Sequence, residues 1–176
     1  MEYTIDAYLS TVTGNTKKLA EGVKNKLKEQ GICLNLHENE NFQPDNMENE
    51  LILIFFWCRR STLNPESKVF LEKWKGKRVI AIGTMGGYPD SEYGNRVRKN
   101  VRTDIEKENY CEGIFLSQGK IDEQSTAHRR SLSPENPHYL NDEAYERHLE
   151  SRKHPNQEDI DGAFAFLLER LTKTFL

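Results

Sequence analysis

Short apolar segments alternate with amphipathic helical segments along most of this chain. The third apolar segment, residues 51–57, is unbroken, which is typical of a strand buried on both faces of a parallel sheet. Strands are predicted at residues 2–9, 32–37, 51–57, 78–83 and 114–116, and helices at about 15–30, from Pro65, from Ser91 and from about Asn156. This alternation predicts an α/β fold with a parallel sheet, helices on both faces and right-handed crossovers.

A segment rich in hydroxyl groups links the first predicted strand to the first predicted helix. It consists of Ser10, Thr11, Val12, Thr13, Gly14, Asn15 and Thr16. Helix N-termini carry unpaired N–H groups and a partial positive charge, so they bind anions. The threonines can donate to phosphate oxygens, and Gly14 lets the backbone approach closely. This segment, here called the phosphate loop, predicts a site for a terminal phosphate monoester; the alternative is a simple helix cap.

Two further segments follow the third and fourth predicted strands. The first covers residues 56–62 and includes Phe56, Trp57, Cys58 and Arg59; the second contains Thr84, Met85, Gly86, Gly87 and Tyr88 and continues to Tyr93. In parallel sheets of this class, ligands bind beyond the carboxyl ends of the strands. Both segments and the phosphate loop are therefore predicted to meet at one site.

The composition restricts the possible partners. A formal net charge of -3 gives no indication of a nucleic-acid partner. No apolar stretch reaches the ~20 residues that cross a bilayer, and the residues after Met1 do not resemble a signal peptide. Three cysteines without a CxxC pair predict reduced thiols in a cytoplasmic protein. Four histidines at positions 128, 138, 148 and 154 lack zinc-site spacing, so no metal is expected.

Laid together, the three segments resemble those of the flavodoxin family. Residues 11–16 match the family's T-x-T-G-x-T phosphate loop residue for residue. The resemblance covers about residues 1–117 and the last helix. It implies a flavodoxin-like three-layer sandwich, with a five-stranded parallel sheet in the order 2-1-3-4-5. It also implies noncovalent FMN and transfer of one or two electrons to a redox partner protein.

The resemblance further implies that the phosphate loop holds the FMN phosphate and that the two later segments flank the flavin ring. Trp57, Tyr88 or Tyr93 would stack on the ring, and peptide groups at residues 85–87 would bind its pyrimidine edge. Two departures from the family pattern stand out. Arginines occupy positions 59 and 60, where typical flavodoxins are acidic, and Asp6 interrupts a strand that the family keeps apolar.

A narrower resemblance is to a flavodoxin-domain subgroup found beside bacterial bilirubin reductases. It rests on Phe56-Trp57, on Gly83-Thr84 and on His154-Pro155 before the last helix. This resemblance implies a bilin or tetrapyrrole reductase as the electron-accepting partner.

Three functions remain open at this point. An FMN electron carrier is favoured, because the phosphate loop has no nucleophile and no residue pair stands out as a proton donor. The alternative is an NAD(P)H-dependent FMN reductase acting on a small quinone- or bilin-like substrate, which requires a pocket roofed by residues 119–155. A flavin-free phosphate-binding module or phosphatase is the third, but the Cys-x5-Arg pattern of low-molecular-weight phosphatases is absent, since Asn64 stands six positions after Cys58.

The predicted domain organisation is a single flavodoxin-like domain over residues 1–176. Residues 117–155 are polar and contain several prolines. They are expected to form an insertion or flap before the C-terminal helix.

Overall fold

Strands and helices alternate in the computed structural model, which describes residues 3–38 and 50–175. The strands are β1 (Tyr3–Leu9), β2 (Ile32–Glu38), β3 (Leu51–Arg59), β4 (Thr62–Leu63), β5 (Arg78–Met85) and β6 (Tyr110–Gln118). The helices are α1 (Asn15–Glu29), α2 (Pro65–Lys73), α3 (Glu92–Ile105), α4 (Glu123–Arg130), α5 (Asp142–Ser151) and α6 (Gln157–Phe175). The predicted polar connection through Pro44 and Asp45 lies outside the described residues.

The five long strands form a parallel sheet in the order β2-β1-β3-β5-β6. Counted without the two-residue β4, which pairs antiparallel with β3, this is the predicted order 2-1-3-4-5. The order reverses between β1 and β3, and ligands of such sheets bind in the crevice at that point. The predicted flavodoxin-like α/β fold is confirmed.

The core has two layers, one on each face of the sheet. Side chains alternate between the faces along a strand, so Leu53 and Phe55 of β3 pack with α1 and α6. Ile54 and Phe56 point the other way and pack with α2 and α3. Because β3 is buried on both faces, its sequence is an unbroken apolar run.

The structure explains the carboxylate of Asp6 within β1. Its Oδ1 accepts a hydrogen bond from Asn35 Nδ2 at 3.2 Å and lies 2.8 Å from His37 Nε2. Both partners come from β2, which ends the described sheet. A polar group can lie in a strand without large cost when neighbouring side chains satisfy it.

The segment after β3 differs from the predicted loop. The strand continues through Arg59 and returns as a hairpin into β4. The turn residues Arg60 and Ser61 have φ values of 49° and 64°, as two-residue hairpin turns of the primed type require. Such turns are usually marked by Asn or Gly, so the sequence carries no local signal for this hairpin.

Residues 117–155, predicted as an insertion or flap, contain two helices, α4 and α5. Each begins at a side-chain cap: Asp122 accepts from Ser125 N at 2.6 Å, and Asn141 accepts from Ala144 N at 2.8 Å. Leu140, between the helices, is buried. In the described part of the chain, no helix has the length and apolarity needed to cross a bilayer.

Asp104 of α3 contacts side chains of β4, of α2 and of the segment just after α3. It accepts a hydrogen bond from Thr62 Oγ1 at 2.7 Å and forms ion pairs with Lys68 at 2.8 Å and Lys107 at 2.6 Å. Burial raises the pKa of this carboxyl, but the hydrogen bonds from Lys107, Lys68 and Thr62 outweigh burial and lower the pKa to about 2. The folded state therefore favours the ionised carboxylate.

We expect Asp104→Asn to lower the free energy of unfolding at pH 7 by about 2 kcal/mol. A lowered folded-state pKa stabilises the protein above the unfolded value of 3.8, and this contribution disappears as the pH falls towards about 2. Urea unfolding at pH 7, 4 and 3 measures the effect. The difference in the free energy of unfolding between wild type and variant should shrink from pH 4 to pH 3. A difference that does not change with pH contradicts this account.

Candidate functional site

The phosphate loop follows β1 and forms the N-terminus of α1. Ser10 N donates to Phe55 O at 2.9 Å, which extends the pairing of β1 with β3. Gly14 is the N-cap with φ 87°, in the left-handed region that glycine adopts at little cost. The first turn of α1 contains no acidic residue. The positive end of this helix is therefore not neutralised by its own side chains.

Two hydroxyl groups of the phosphate loop keep their protons available for an anion. Thr11 Oγ1 accepts from Gly14 N at 3.2 Å, and Thr13 Oγ1 accepts from Asn15 Nδ2 at 3.0 Å. Both oxygens therefore act as acceptors, and neither O–H donates to another described residue. A hydroxyl has one proton to donate, so each of these can still bind a phosphate oxygen. Val12 between them is exposed.

Thr16 has a different position from the other threonines. Its side chain is buried, and its Oγ1 lies 2.8 Å from Thr84 Oγ1 and 3.4 Å from Phe56 O. The contacts join the start of α1 to the ends of β3 and β5. Thr16 thus fixes the three segments relative to one another, and its backbone N–H remains at the helix start.

Ser10 of the phosphate loop is held by a hydrogen bond from Asn64. Its Oγ accepts from the buried Asn64 Nδ2 at 2.9 Å, while Asn64 Oδ1 accepts from Ser67 Oγ at 2.8 Å. Asn64 precedes Pro65 at the start of α2, but its side chain makes no capping hydrogen bond to the helix backbone. Its link to Ser10 joins residues 54 positions apart, which local patterns do not reveal.

The aromatic residues at the end of β3 lie on opposite faces of the sheet. Phe56 is fully buried in the core, where a Cβ on Gly83 would lie 2.3 Å from its ring. Trp57 is half-buried on the face that carries α1, and Arg59 lies 6.0 Å from its ring centroid. The buried Trp57 Nε1 has no hydrogen-bond partner among the described residues. An unpaired buried donor is costly, so this N–H favours a ligand acceptor nearby.

A cavity of about 510 Å³ opens between the β3–β4 hairpin and the segment after β5. Such volumes are typical of small-molecule and cofactor sites. Its lining brings together predicted and unpredicted residues: Cys58, Gly86, Gly87, Tyr88, Ser91, Glu92, Tyr93, Ile121, Glu143, Arg147 and His148. Tyr88 and Tyr93 are partly exposed there, whereas Trp57 and the phosphate loop lie outside this lining. Thr84 and Met85 are buried as the last residues of β5.

Helix α5 forms one wall of the cavity, and it is tied to the segment after β5. Gln118 Nε2 donates to Gly86 O at 3.2 Å and to Arg147 O at 3.4 Å. Ser151 Oγ accepts from Ile121 N at 3.0 Å. The phosphate loop joins the same region, because Asn15 Nδ2 donates to Lys120 O at 2.9 Å. The residues that sequence reasoning missed therefore come mainly from the polar stretch before α6.

Burial sets the charge state of the cysteine that lines the cavity. Burial raises the pKa of the Cys58 thiol, although hydrogen bonds to the Ser61 backbone and the Tyr93 side chain oppose this. The thiol is therefore protonated at neutral pH and is a poor nucleophile. Among the described residues, no group of three or more His, Cys, Asp or Glu side chains is placed to hold a metal ion.

These features fit a ligand with a phosphate tail and an aromatic ring. The helix start and the Thr11 and Thr13 hydroxyls suit the phosphate, while Trp57, Tyr88 and Tyr93 offer aromatic surface beside the same edge of the sheet. The unpaired Trp57 Nε1 offers a hydrogen-bond donor. The donor set therefore fits FMN.

Comparison with known proteins places these observations in a family. A family model described as a flavodoxin domain matches residues 7–167. The flavodoxin-like domain-containing protein BilS of Clostridioides difficile is 29% identical over 167 residues, covering 93% of this chain and 94% of its own. The two-electron reduced flavodoxin of Megasphaera elsdenii is 18% identical with a TM-score of 0.48, over 64% of this chain and 85% of its own. A Lactobacillus acidophilus flavoprotein in complex with FMN is 16% identical with a TM-score of 0.48, over 66% of this chain and 93% of its own.

The family match extends from β1 into α6 and includes the phosphate loop. It confirms the resemblance seen in the sequence, and it supports FMN as the cofactor and electron transfer as the general activity. The chain belongs to the flavodoxin domain family.

Proposed function

We propose that this protein is a cytoplasmic FMN-binding electron carrier that serves a partner reductase. The observation that carries this proposal is the pair of hydroxyl donors, on Thr11 and Thr13, at a helix N-terminus free of acidic side chains. A neutral, half-buried Cys58 thiol and the absence of a nucleophile in the phosphate loop favour a carrier over a hydrolase.

The phosphate loop holds the FMN phosphate in this proposal. Thr11 and Thr13 contribute side-chain donors, and Asn15 and Thr16 contribute backbone N–H groups at the start of α1. The Asn15 side chain and the Gly14 N–H hold the Thr13 and Thr11 hydroxyls in place. Ser10 and Val12 position the backbone between β1 and the helix. Thr16 stabilises the loop through Thr84, 2.8 Å from its hydroxyl oxygen.

In this proposal the residues beyond the ends of β3 and β5 would hold the flavin ring. Trp57, Tyr88 or Tyr93 would stack on it, and peptide groups at residues 85–87 would bind its pyrimidine edge. Phe56, Thr84 and Met85 support this site from the core, while Cys58 and Arg59 flank it. When bound, FMN supplies transfer of one or two electrons. The protein holds the ring and sets its electrostatic surroundings.

The partner that we propose is a bilin or tetrapyrrole reductase. Support comes from the resemblance carried by Phe56-Trp57, Gly83-Thr84 and His154-Pro155, and from the 29% identity to BilS over 93% of this chain. The exposed Arg59, Arg60 and Arg96 lie on the hairpin and on α3, beside the proposed ring site. They form a basic surface that suits an acidic patch on a partner.

A second candidate function is an NAD(P)H-dependent FMN reductase with its own small substrate. The observation that favours it is the cavity of about 510 Å³ with α5 as a wall, because a direct reductase needs a pocket at the ring. This cavity is also large enough to take part of the flavin ring itself, so the carrier remains the preferred function.

We expect the purified protein to be yellow and to release a flavin whose mass is that of FMN. As a carrier, the reduced protein should pass electrons to cytochrome c, used as an artificial acceptor. It should oxidise NADH or NADPH only slowly unless a donor reductase is added. Rapid NAD(P)H oxidation by the protein alone, with a quinone as acceptor, supports the second candidate. Folded protein that neither contains nor takes up FMN contradicts both.

A further inference from the structure

We propose that Arg147 and His148 recognise the edge of a cyclic amide, a ring N–H beside a ring C=O, inside the cavity. The inference rests on the proposed function, because it places that edge next to the proposed flavin site. Both residues line the cavity together with Gly86 and Gly87. Neither has a role in the proposed phosphate contacts.

The hydrogen bonds of Thr126 define the tautomer of His148. Thr126 Oγ1 donates its one proton to Asp122 O at 2.9 Å. The same oxygen lies 2.9 Å from His148 Nδ1, so it must accept there and Nδ1 must carry the ring proton. In the neutral ring Nε2 is then a hydrogen-bond acceptor.

His148 is buried, with 3% of its surface exposed, yet it is one of the residues that line the cavity. Its Nε2 has no hydrogen-bond partner in the described part of the chain. Burial lowers the pKa of His148, and the nearby Arg129 and Arg147 cations lower it further. The ring is therefore neutral at pH 7, and its Nε2 lone pair remains free to accept a proton-bearing group of a ligand.

Arg147 supplies the complementary donor. Its backbone carbonyl is held by Gln118, but its guanidinium forms no ion pair or hydrogen bond with any described residue. Guanidinium groups have five N–H donors and no acceptor. A free donor therefore lies in the same wall as a free acceptor.

Hydrogen bonds hold the backbone of this wall in place. Ser151 Oγ donates to His148 O at 2.6 Å and accepts from Ile121 N at 3.0 Å, which anchors the end of α5. Gln118 joins Arg147 O to Gly86 O. The backbone of Arg147 and of His148 is thus fixed relative to the backbone at the proposed ring site.

An acceptor and a donor in the lining of one cavity can together bind the N–H and the neighbouring C=O of a cyclic amide. Two sources can present this chemistry in the cavity. One is the pyrimidine edge of the FMN ring itself. The other is a separate lactam that binds next to the flavin. The experiment below has one arm for each source.

The first arm compares FMN with FMN methylated at the pyrimidine N–H, by titration of flavin-free protein. If the flavin is the source, wild type binds FMN about ten-fold more tightly than the methylated FMN. This factor is the effect of losing one hydrogen bond to a buried partner. In His148→Phe this preference falls to about one. The matched control His128→Phe alters an exposed histidine of α4 and should keep the ten-fold preference.

The second arm titrates FMN-loaded protein with 2-pyrrolidone and with N-methyl-2-pyrrolidone by calorimetry. If a separate lactam is the source, only the N–H form binds measurably, and His148→Phe abolishes that binding while FMN affinity stays unchanged. Should His148→Phe fail to fold, Arg147→Leu replaces it and should weaken binding of the recognised ligand about ten-fold through loss of the C=O contact.

The inference is overturned if FMN binds well but neither arm shows a preference for the N–H form that depends on His148 or Arg147. Protein that is folded and binds no FMN contradicts the proposed function instead. The two failures are therefore distinguishable.

Discussion

Replacing both Thr11 and Thr13 by valine should weaken FMN binding about 100-fold and leave riboflavin binding nearly unchanged. Valine has the shape of threonine but has no hydroxyl. Each hydroxyl is expected to donate to the charged phosphate, and hydrogen bonds to charged groups contribute about 1.5–3 kcal/mol each. Riboflavin has no phosphate, so its affinity should not depend on these two hydroxyls. Fluorescence titration of flavin-free protein with both ligands measures the two affinities.

A matched control for this pair is Thr103→Val with Thr172→Val. Both control threonines are exposed on helices and donate only to their own helix backbone, to Lys99 O and Leu168 O. They should change neither affinity. If the affinity of the Thr11 and Thr13 variant falls equally for FMN and for riboflavin, the two side chains act through the fold of the loop and not through the phosphate.

Gly94→Ala should destabilise the protein and weaken FMN binding. A Cβ at Gly94 would lie 1.9 Å from Pro89 O and 3.0 Å from Tyr88 O, which are backbone atoms. The segment cannot easily move away, because Tyr88 O accepts from Ser91 Oγ at 2.6 Å and Pro89 O accepts from Arg98 Nη1 at 2.8 Å. We expect the free energy of unfolding to fall by about 1–3 kcal/mol. FMN affinity should fall about ten-fold, because Tyr88 is displaced.

Gly162→Ala is the control for this substitution. It adds the same methyl group within α6, where the nearest atoms belong to the Phe115 ring at 3.2 Å and 3.3 Å. A small movement of that side chain is offset by the higher helix propensity of alanine, about 1 kcal/mol. Stability and FMN affinity should stay close to wild type. Urea unfolding that shows Gly94→Ala to be as stable as Gly162→Ala contradicts the proposed close contact.

Much of the fold was predictable because its signals are local. The apolar run of β3, Pro65 at the start of α2 and the Ser91 cap of α3 each determine a strand or a helix end within a few residues. Asn64 is the exception, because its side chain contacts Ser10 and Ser67 and does not cap α2. Ser91 Oγ accepts from Gly94 N at 3.1 Å, as its position before a helix predicts. The order of the strands followed from the resemblance to flavodoxins.

The parts of the site that were not predictable depend on contacts between distant residues. Arg60 and Ser61 form a primed turn without its usual residues, and the surrounding hairpin stabilises it. His148 lies in a polar stretch with no metal or catalytic spacing, and only the packing of α5 against Ile121 and Gly86 brings it to the cavity. Likewise, the contact of Thr16 with Thr84 spans 68 positions.

The central claim is that the turn after β1 binds the phosphate of FMN, and titration of flavin-free wild-type protein with FMN and with riboflavin tests it most directly. The account predicts that FMN binds at least 100-fold more tightly, since the two ligands differ only in the phosphate and two charge-assisted hydrogen bonds depend on it. Equal affinity for the two ligands, measured on protein shown to be folded, would contradict the claim.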